Sequence, residues 1–510
     1  MSQAGGCLHT FEEKGYEFDV GLHYIGGMVG SRWSSLRKMY DVVTGGRVEW
    51  CKVRQCLDDP YDSAVCTGEY EESGADSIHF YGDYKRTEKE LKAKLTKEEG
   101  KQVSSFFFSL NFTVVRMAGW LVAKVMPIWL RRSVGRLVEI PSAGVLNVTT
   151  TDYMKNALGV TSSKVHGILT YLFGDYGLMP SVSSWAVHAV VFNHWRGGAF
   201  YPYGGSSALA MGACEVIRQN GGLILVNSRV KSIVVEGGKA VGVEMEKDGN
   251  VSEWGWARTK PERGAKRRGW RPDIAAAANG SGSPTNTQAE GTDGLVERLS
   301  ERDSEELNIF RANKIVSDVG ARNTFLRLLK SEDIANVDKS FISDLTQDEQ
   351  GDLDEHARMA PSCALLNLFI GLDAPAESLG VPATNAWVVP SWDHEKNLQK
   401  FWAEDGESEL PVAFIGSNSA KDFSYEKRFG KNRGSVMVLA PVEYKWFKKW
   451  ENNRVHARGE DYDAMKKHWE EKLLKKLYQV YPNVKGHITV RRGRAKRGCL
   501  GGGERTELIN

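Results

Sequence analysis

AGGCLHTFEEKGYEFDVGLHYIGG, residues 4–27, is the stretch on which the reading of this chain turns. The glycine pair Gly5-Gly6 carries no Cβ, so backbone there can approach a ligand closely. Residues 18–26 read as a short strand running into a glycine turn, with Asp19 and Gly21 able to make a polar, close-packed contact. His23 and Tyr24 follow at once and are the candidates for chemistry. A histidine so placed can give or take a proton or position a substrate. A histidine packed with its ring nitrogens satisfied is the competing reading, and it stays open.

Composition narrows the class. The chain has 510 residues, 67 basic and 65 acidic, for a net charge of +2, and 41% are hydrophobic. That balance describes a globular enzyme of two to four domains, free in water or peripheral to a surface, and carries no global signal for nucleic acid. The seven cysteines, at 7, 51, 56, 66, 214, 363 and 499, contain no Cys-x-x-Cys pair. Free buried thiols in a reducing compartment are expected, and no metal site. No cleavable signal peptide is visible at the N-terminus.

Residues 106–130, FFFSLNFTVVRMAGWLVAKVMPIWL, form the most apolar window. On a helical wheel Ser109, Thr113, Arg116 and Lys124 fall within about 80° of one another, which predicts an amphipathic helix with a narrow polar wedge. Pro127 should kink or end it. Between Gly100 and Val138 stand Lys101, Arg116, Lys124, Arg131, Arg132 and Arg136, with no acidic residue. Such a helix suits a membrane interface or the wall of a substrate channel. Just before it, Thr87–Leu95 reads as a helix capped by Thr87.

Further on, Gly204-Gly205 opens a helix whose N-terminus could meet an anion. Residues 221–245 read as three short strands with glycine turns, and Val230 lies among them. Residues 246–307 have few large aliphatic residues and should be a disordered insertion. NKIVSDVGA (313–321) reads as a strand entering a helix. Residues 362–372, 411–420 and 434–442 read as buried strands, and 443–450 and 459–479 as helices. From Arg491 onward apolar periodicity ceases. His188 and His194, six apart, do not share a helix face and are read as structural or channel-lining, not as metal ligands.

Taken in order, AGGCLHTF, FDVGLHYIGG, the block 184–210, the strand unit 221–245, KIVSDVG and APVEYKWFKKW (440–450) resemble one family. It is the retinol saturases (all-trans-retinol 13,14-reductases), within the phytoene-desaturase and carotenoid-isomerase group of FAD-dependent oxidoreductases. The resemblance covers roughly residues 4–246 and 308–490. It implies an α/β fold: a discontinuous FAD/NAD(P)-binding domain of the glutathione-reductase (Rossmann) type, interleaved with a mixed α+β substrate domain. It implies FAD as cofactor, with NAD(P)H one source of electrons, an apolar polyene as substrate, and a membrane surface, that of the endoplasmic reticulum or alternatively a plastid. Gly5, Gly6, Asp19, Gly21 and the backbone of Val230 would bind the cofactor. Flavin chemistry needs no triad, metal or carboxylate pair.

The domains implied are a partial FAD-binding domain at 1–50, a substrate domain at 51–203, FAD-binding strands at 204–245, the insertion at 246–307, a return to the FAD domain at 308–330, a substrate domain at 331–490 and a tail outside the family pattern at 491–510. No Gly-x-Gly-x-x-Gly unit precedes Gly5. The expectation is therefore a chain truncated at both ends, with an incomplete FAD domain. Three functions stay open: a retinol-saturase-like reductase, a carotenoid isomerase or desaturase, and a non-catalytic remnant that binds apolar ligands.

Overall fold

The structure, a computed structural model, describes residues 3–27, 29–53, 59–68, 76–246, 252–253, 309–334, 337, 342, 364–451, 453 and 458–496. These fall into two compact units, a smaller one drawn from 1–9 and 210–360 and a larger one drawn from 10–209 and 361–499.

The larger unit is built on a seven-stranded mixed sheet. Its strands run in the order Ile488–Lys496, Ala364–Leu372, Gly434–Val442, Ala413–Gly416, Asn385–Val389, Asp62–Cys66 and Asp76–Phe80. Only Asn385–Val389 and Asp62–Cys66 pair in parallel. The central strands are buried on both faces, which is why they read as continuous apolar runs in place of alternation. Leu368, Ile370, Val436 and Val438 pack in one cluster with Trp469, Leu473 and Leu477 of the helix Glu460–Val480. Phe369, Met437, Phe414 and Trp387 belong to the cluster on the other face, which holds the candidate site.

Residues 10–50 pack with this larger unit. Thr10–Glu13 and Tyr16–Asp19 form a hairpin turned by Lys14 and Gly15, both at positive φ, as a two-residue turn of the twist-matched kind requires. Phe11 and Phe18 carry the hairpin onto Phe369, with ring centroids 5.0 and 5.4 Å away.

Helix α1, Tyr84–Lys94, starts earlier than Thr87: Asp83 caps it by accepting from the Lys85 N–H. Thr87 is buried, and its hydroxyl accepts from the Tyr81 N–H. Helix α2, Lys97–Val125, opens with a full capping box between Thr96 and Glu99. It ends at Met126, which is extended (φ −66°, ψ 143°), as the residue before Pro127 must be. After a π turn, α3, Arg136–Leu146, folds back against α2.

The four residues of the polar wedge on α2 do not share one environment: Arg116 is half-buried and Lys124 exposed. Ser109 and Thr113 face inward, 5% and 1% exposed. Ser109 donates to the Tyr153 hydroxyl, and Thr113 accepts from Trp185 Nε1 on helix α4, Trp185–His194. Phe106, Phe107 and Leu110 are buried on the same side, while Phe108 is 75% exposed and Val115 72%. The buried indole N–H of Trp185 needs an acceptor, and Thr113 supplies it.

In the smaller unit, Val230–Glu236 and Lys239–Met245 form a hairpin over Gly237-Gly238, both at positive φ, and Leu225–Val226 pairs with Ser252–Glu253. The third strand of the hairpin sheet is Ile309–Arg311, with Ile309 paired to Glu244 and Arg311 to Gly242; the strand expected within 313–321 does not form, and the short helix Ala321–Asn323 follows. Apart from residue 246 and that short strand at 252–253, the 246–307 segment lies outside the described residues. At the C-terminus the sheet runs past Arg491 to Lys496, since backbone pairing with Ala364–Leu372 needs no apolar pattern.

Candidate functional site

The Phe-Asp-Val-Gly-Leu-His-Tyr run leads from the hairpin into a buried polar cluster of the larger unit. Asp19, the last residue of its strand, is 3% exposed, and both its oxygens accept from the Tyr201 hydroxyl at 2.7 Å. Burial pushes its carboxyl well up from the ordinary value, against the hydrogen bond from Tyr201. Gly21 is an exposed bend residue. Thus Asp19 is engaged with its own unit, as an anchor for the strand Phe200–Pro202.

Tyr24 is buried. Its ring stacks on Trp195, centroids 4.1 Å apart, and its hydroxyl donates to Asp62 Oδ2 at 3.0 Å. His23 is half-buried, its ring 5.8 Å from that of Phe414. Asp62, at the head of its strand, is fully buried and accepts from four donors: Tyr24, Tyr171, Trp387 Nε1 and Asn385 Nδ2. Burial raises its carboxyl to about 6, while those bonds and the Lys421 charge hold it down.

Lys421 ends the helix Asn418–Lys421, which follows the strand Ala413–Gly416. It is 1% exposed, with Nζ 5.7 Å from the Tyr24 ring centroid. Burial lowers its ammonium below the ordinary lysine range; the charges of Asp19 and Asp62 work the other way. The chemistry-bearing groups are therefore the carboxylates of Asp19 and Asp62, the Lys421 ammonium and the phenols of Tyr24, Tyr171 and Tyr201 within an aromatic wall.

Beside this cluster stands an ionic clamp. Arg428 binds Glu17 through two bonds of 2.9 Å and also donates to Asp422 and Ser424. Asp422 accepts from the Gly204 N–H at 3.1 Å. Gly204 and Gly205 both have φ +91°, and a Cβ on Gly205 would lie 2.8 Å from Glu17 Oε1. The anion met by this glycine turn, ahead of the helix Ser207–Gln219, is thus the protein's own carboxylate. His188 and His194 are structural in the same sense. His188 bonds Tyr176 and the Leu169 carbonyl, and His194 Nε2 accepts from the Gly26 N–H at 2.8 Å.

Gly5, Gly6 and Val230 belong to the smaller unit. Gly5 has φ +119°, and a Cβ there would come within 2.9 Å of Ala210 Cβ; at Gly6 an added Cβ meets nothing within 4 Å. Val230 is half-buried at the first position of its strand, paired with Met245. Among the described residues no group of His, Cys, Asp and Glu is placed to hold a metal ion. Sequence reasoning missed Asp62, Tyr201 and Lys421. The one local signal was an ionic Lys421-Asp422 pair directly after a buried apolar strand.

No family model matches the chain. All-trans-retinol 13,14-reductase of Danio rerio is 27% identical over 503 residues, covering 95% of this chain and 68% of the relative. A second Danio rerio protein, named inactive all-trans-retinol 13,14-reductase, is 24% identical over 496 residues, covering 96% and 68%. An oxidoreductase structure from Methanosarcina mazei superposes with a TM-score of 0.54 over 99% of this chain and 84% of its own, at 12% identity. The ordered motifs therefore extend into a likeness along almost the whole chain, and the α/β fold is one that a solved oxidoreductase shares.

Proposed function

We propose, for a chain that aligns nearly end to end with all-trans-retinol 13,14-reductases, that it is an FAD-dependent oxidoreductase saturating a carbon–carbon double bond of a retinoid-like polyene. The observation that carries this reading is the co-linear likeness together with a buried acid–base cluster placed directly behind the His23-Tyr24 motif.

FAD, when bound, supplies the hydride. The residues of the smaller unit fit such a group: the left-handed turn at Gly5-Gly6 leaves open space over Gly6, and the edge of the Val230 strand offers main-chain donors and acceptors. In the larger unit the chain's own residues bind and orient. Tyr24, Trp195, Phe414 and Trp387 form an apolar wall suited to a polyene. Asp62 fixes the Tyr24 hydroxyl, and His23 stands at the edge of that wall. NAD(P)H is the donor class that fits an FAD reductase of this kind.

The apolar face of α2 and the segment after it supports docking on a membrane, with the endoplasmic reticulum the surface that the resemblance implies. Phe108, Val115, Leu121, Val125, Ile128 and Trp129 are exposed there, with Lys124, Arg131 and Arg132 exposed beside them. Helix α2 is also long and apolar enough to cross a membrane. Its inward-facing Ser109 and Thr113 favour lying in the interface over crossing it.

The test is direct. Purified protein should show the visible absorbance of a bound flavin and, with a reductant and all-trans-retinol, yield a product with one conjugated double bond fewer. Flavin-free folded protein, or turnover only of a cis-carotene to its isomer, would overturn the reading.

A further inference from the structure

We propose that Lys421 is the internal proton carrier of the larger unit, holding on Nζ the proton that double-bond saturation consumes. This rests on the reductase reading above. Saturating one double bond adds a hydride, which brings both electrons, and one proton, which brings none. The reduced cofactor accounts for the first; a group on the chain must provide the second, away from bulk water.

Three observations single out Lys421. It is buried at 1% exposure, yet none of the described carboxylates lies within ion-pair distance of its Nζ. Its charge is instead shared between Asp19 on the hairpin and Asp62 on the sheet, and its Nζ faces the Tyr24 ring. A buried lysine serving stability alone is expected in a tight pair, as Lys476 is with Glu409.

The second observation is the space around Gly416. A Cβ there would lie 3.0 Å from Asn385 Oδ1 and 3.2 Å from Lys421 Nζ, so the two polar atoms converge on a spot only glycine leaves open. Asn385 is fully buried and its Oδ1 has no hydrogen-bond partner. The unpartnered oxygen and the ammonium thus border the same small space with no hydrogen bond between them. Thirdly, burial moves Asp19 up and Lys421 down, toward each other.

The step balances as follows. The Lys421 ammonium releases one proton toward the carbon left electron-rich by hydride addition, by way of the Tyr24 side of the cluster. The neutral amine takes a proton back through Asp62 or Asp19, and each turnover removes one proton from solvent. Lys421 is a positioning and supply residue in this scheme. The groups facing it are Asp19, Asp62, Tyr24 and Asn385.

Two readouts test it. In protein labelled with ¹³Cε-lysine, one resonance should titrate below the ordinary lysine range and be absent from Lys421→Met; its absence from the wild type overturns the proposal. In turnover, Lys421→Met and Lys421→Arg should each lose at least about 100-fold in the saturation rate while flavin content and flavin reduction stay as in the wild type. Arginine keeps the charge but does not release the proton. Wild-type rates in Lys421→Arg would show a merely structural cation and refute the carrier. A wild type that binds flavin but saturates no polyene refutes the functional reading instead, and the titration then judges Lys421 alone.

Discussion

Replacing Thr113 by valine separates the two possible orientations of α2. The side chains are nearly isosteric, and their helix propensities differ little, so neither a cavity nor a backbone term enters. In the structure the Thr113 hydroxyl is saturated on both sides: it donates to the Ser109 carbonyl at 2.9 Å and accepts from Trp185 Nε1 at 2.8 Å. Trp185 is wholly buried, so valine strands its indole N–H without water. A buried donor left unsatisfied costs about 1–3 kcal/mol. At roughly 2 °C per kcal/mol for a unit of this size, the unfolding midpoint should fall by about 2–6 °C. Phe108→Ser is the control, since at 75% exposure it should move stability by less than about 0.5 kcal/mol. Thermal unfolding of the full chain followed by tryptophan emission reads both. A Thr113→Val midpoint within 1 °C of wild type, with Phe108→Ser several degrees lower, would mean that the apolar face is the buried one, and the reasoning about this helix would be wrong.

Four further outcomes follow from the same coordinates. Arg428→Met leaves Glu17 and Asp422 buried without their cation and should cost about 3–5 kcal/mol at pH 8, less at pH 5 where Glu17, raised by burial, can take up a proton; denaturation at the two pH values reads the difference. Asp62, raised to about 6 from 3.8, binds its proton more tightly folded than unfolded, so its contribution of about 3 kcal/mol is present below pH 4 and lost as pH rises through 6. Asp62→Asn should flatten the stability profile over that window, and an unchanged slope would exclude Asp62 as its source. Gly5→Ala should lower flavin content more than Gly6→Ala, because only the first meets a neighbouring Cβ at 2.9 Å; absorbance per chain measures it. Changing Lys124, Arg131 and Arg132 together to glutamine should weaken partition onto phosphatidylserine vesicles about 100-fold at low salt, at about 1 kcal/mol per charge, and leave partition onto neutral vesicles unaltered.

What could be read from sequence divides along a physical line. Gly434–Val442 was expected over those same residues because a doubly covered strand is apolar without interruption. Pro127 marked the end of α2 because its steric effect on Met126 is local. The direction of the α2 wedge was not readable, since it depends on side chains from other helices: Trp185, whose indole N–H needs Thr113, and Tyr153, whose hydroxyl accepts from Ser109. Ile488–Lys496 escaped for a similar reason: its pairing is backbone to backbone with a strand more than a hundred residues earlier. In the candidate site, Asp19 and Tyr24 were visible as parts of one motif. Their partners Tyr201, Asp62 and Lys421 come from three distant segments, and a lone Asp or Lys carries no mark of its burial until the chain is folded.

The register of Ile309–Arg311 against Lys239–Met245 has a practical meaning. Glu244 and Ile309 are cross-strand neighbours, so the chain departs from the sheet and rejoins it almost at the same point. The number of residues between two such points enters the folding free energy only logarithmically, at about 0.6 kcal/mol per doubling. A short turn, a fluorescent reporter or a purification module inserted after Glu253, whose pairing with Leu225 belongs to a second small sheet, should therefore leave the hairpin free to close.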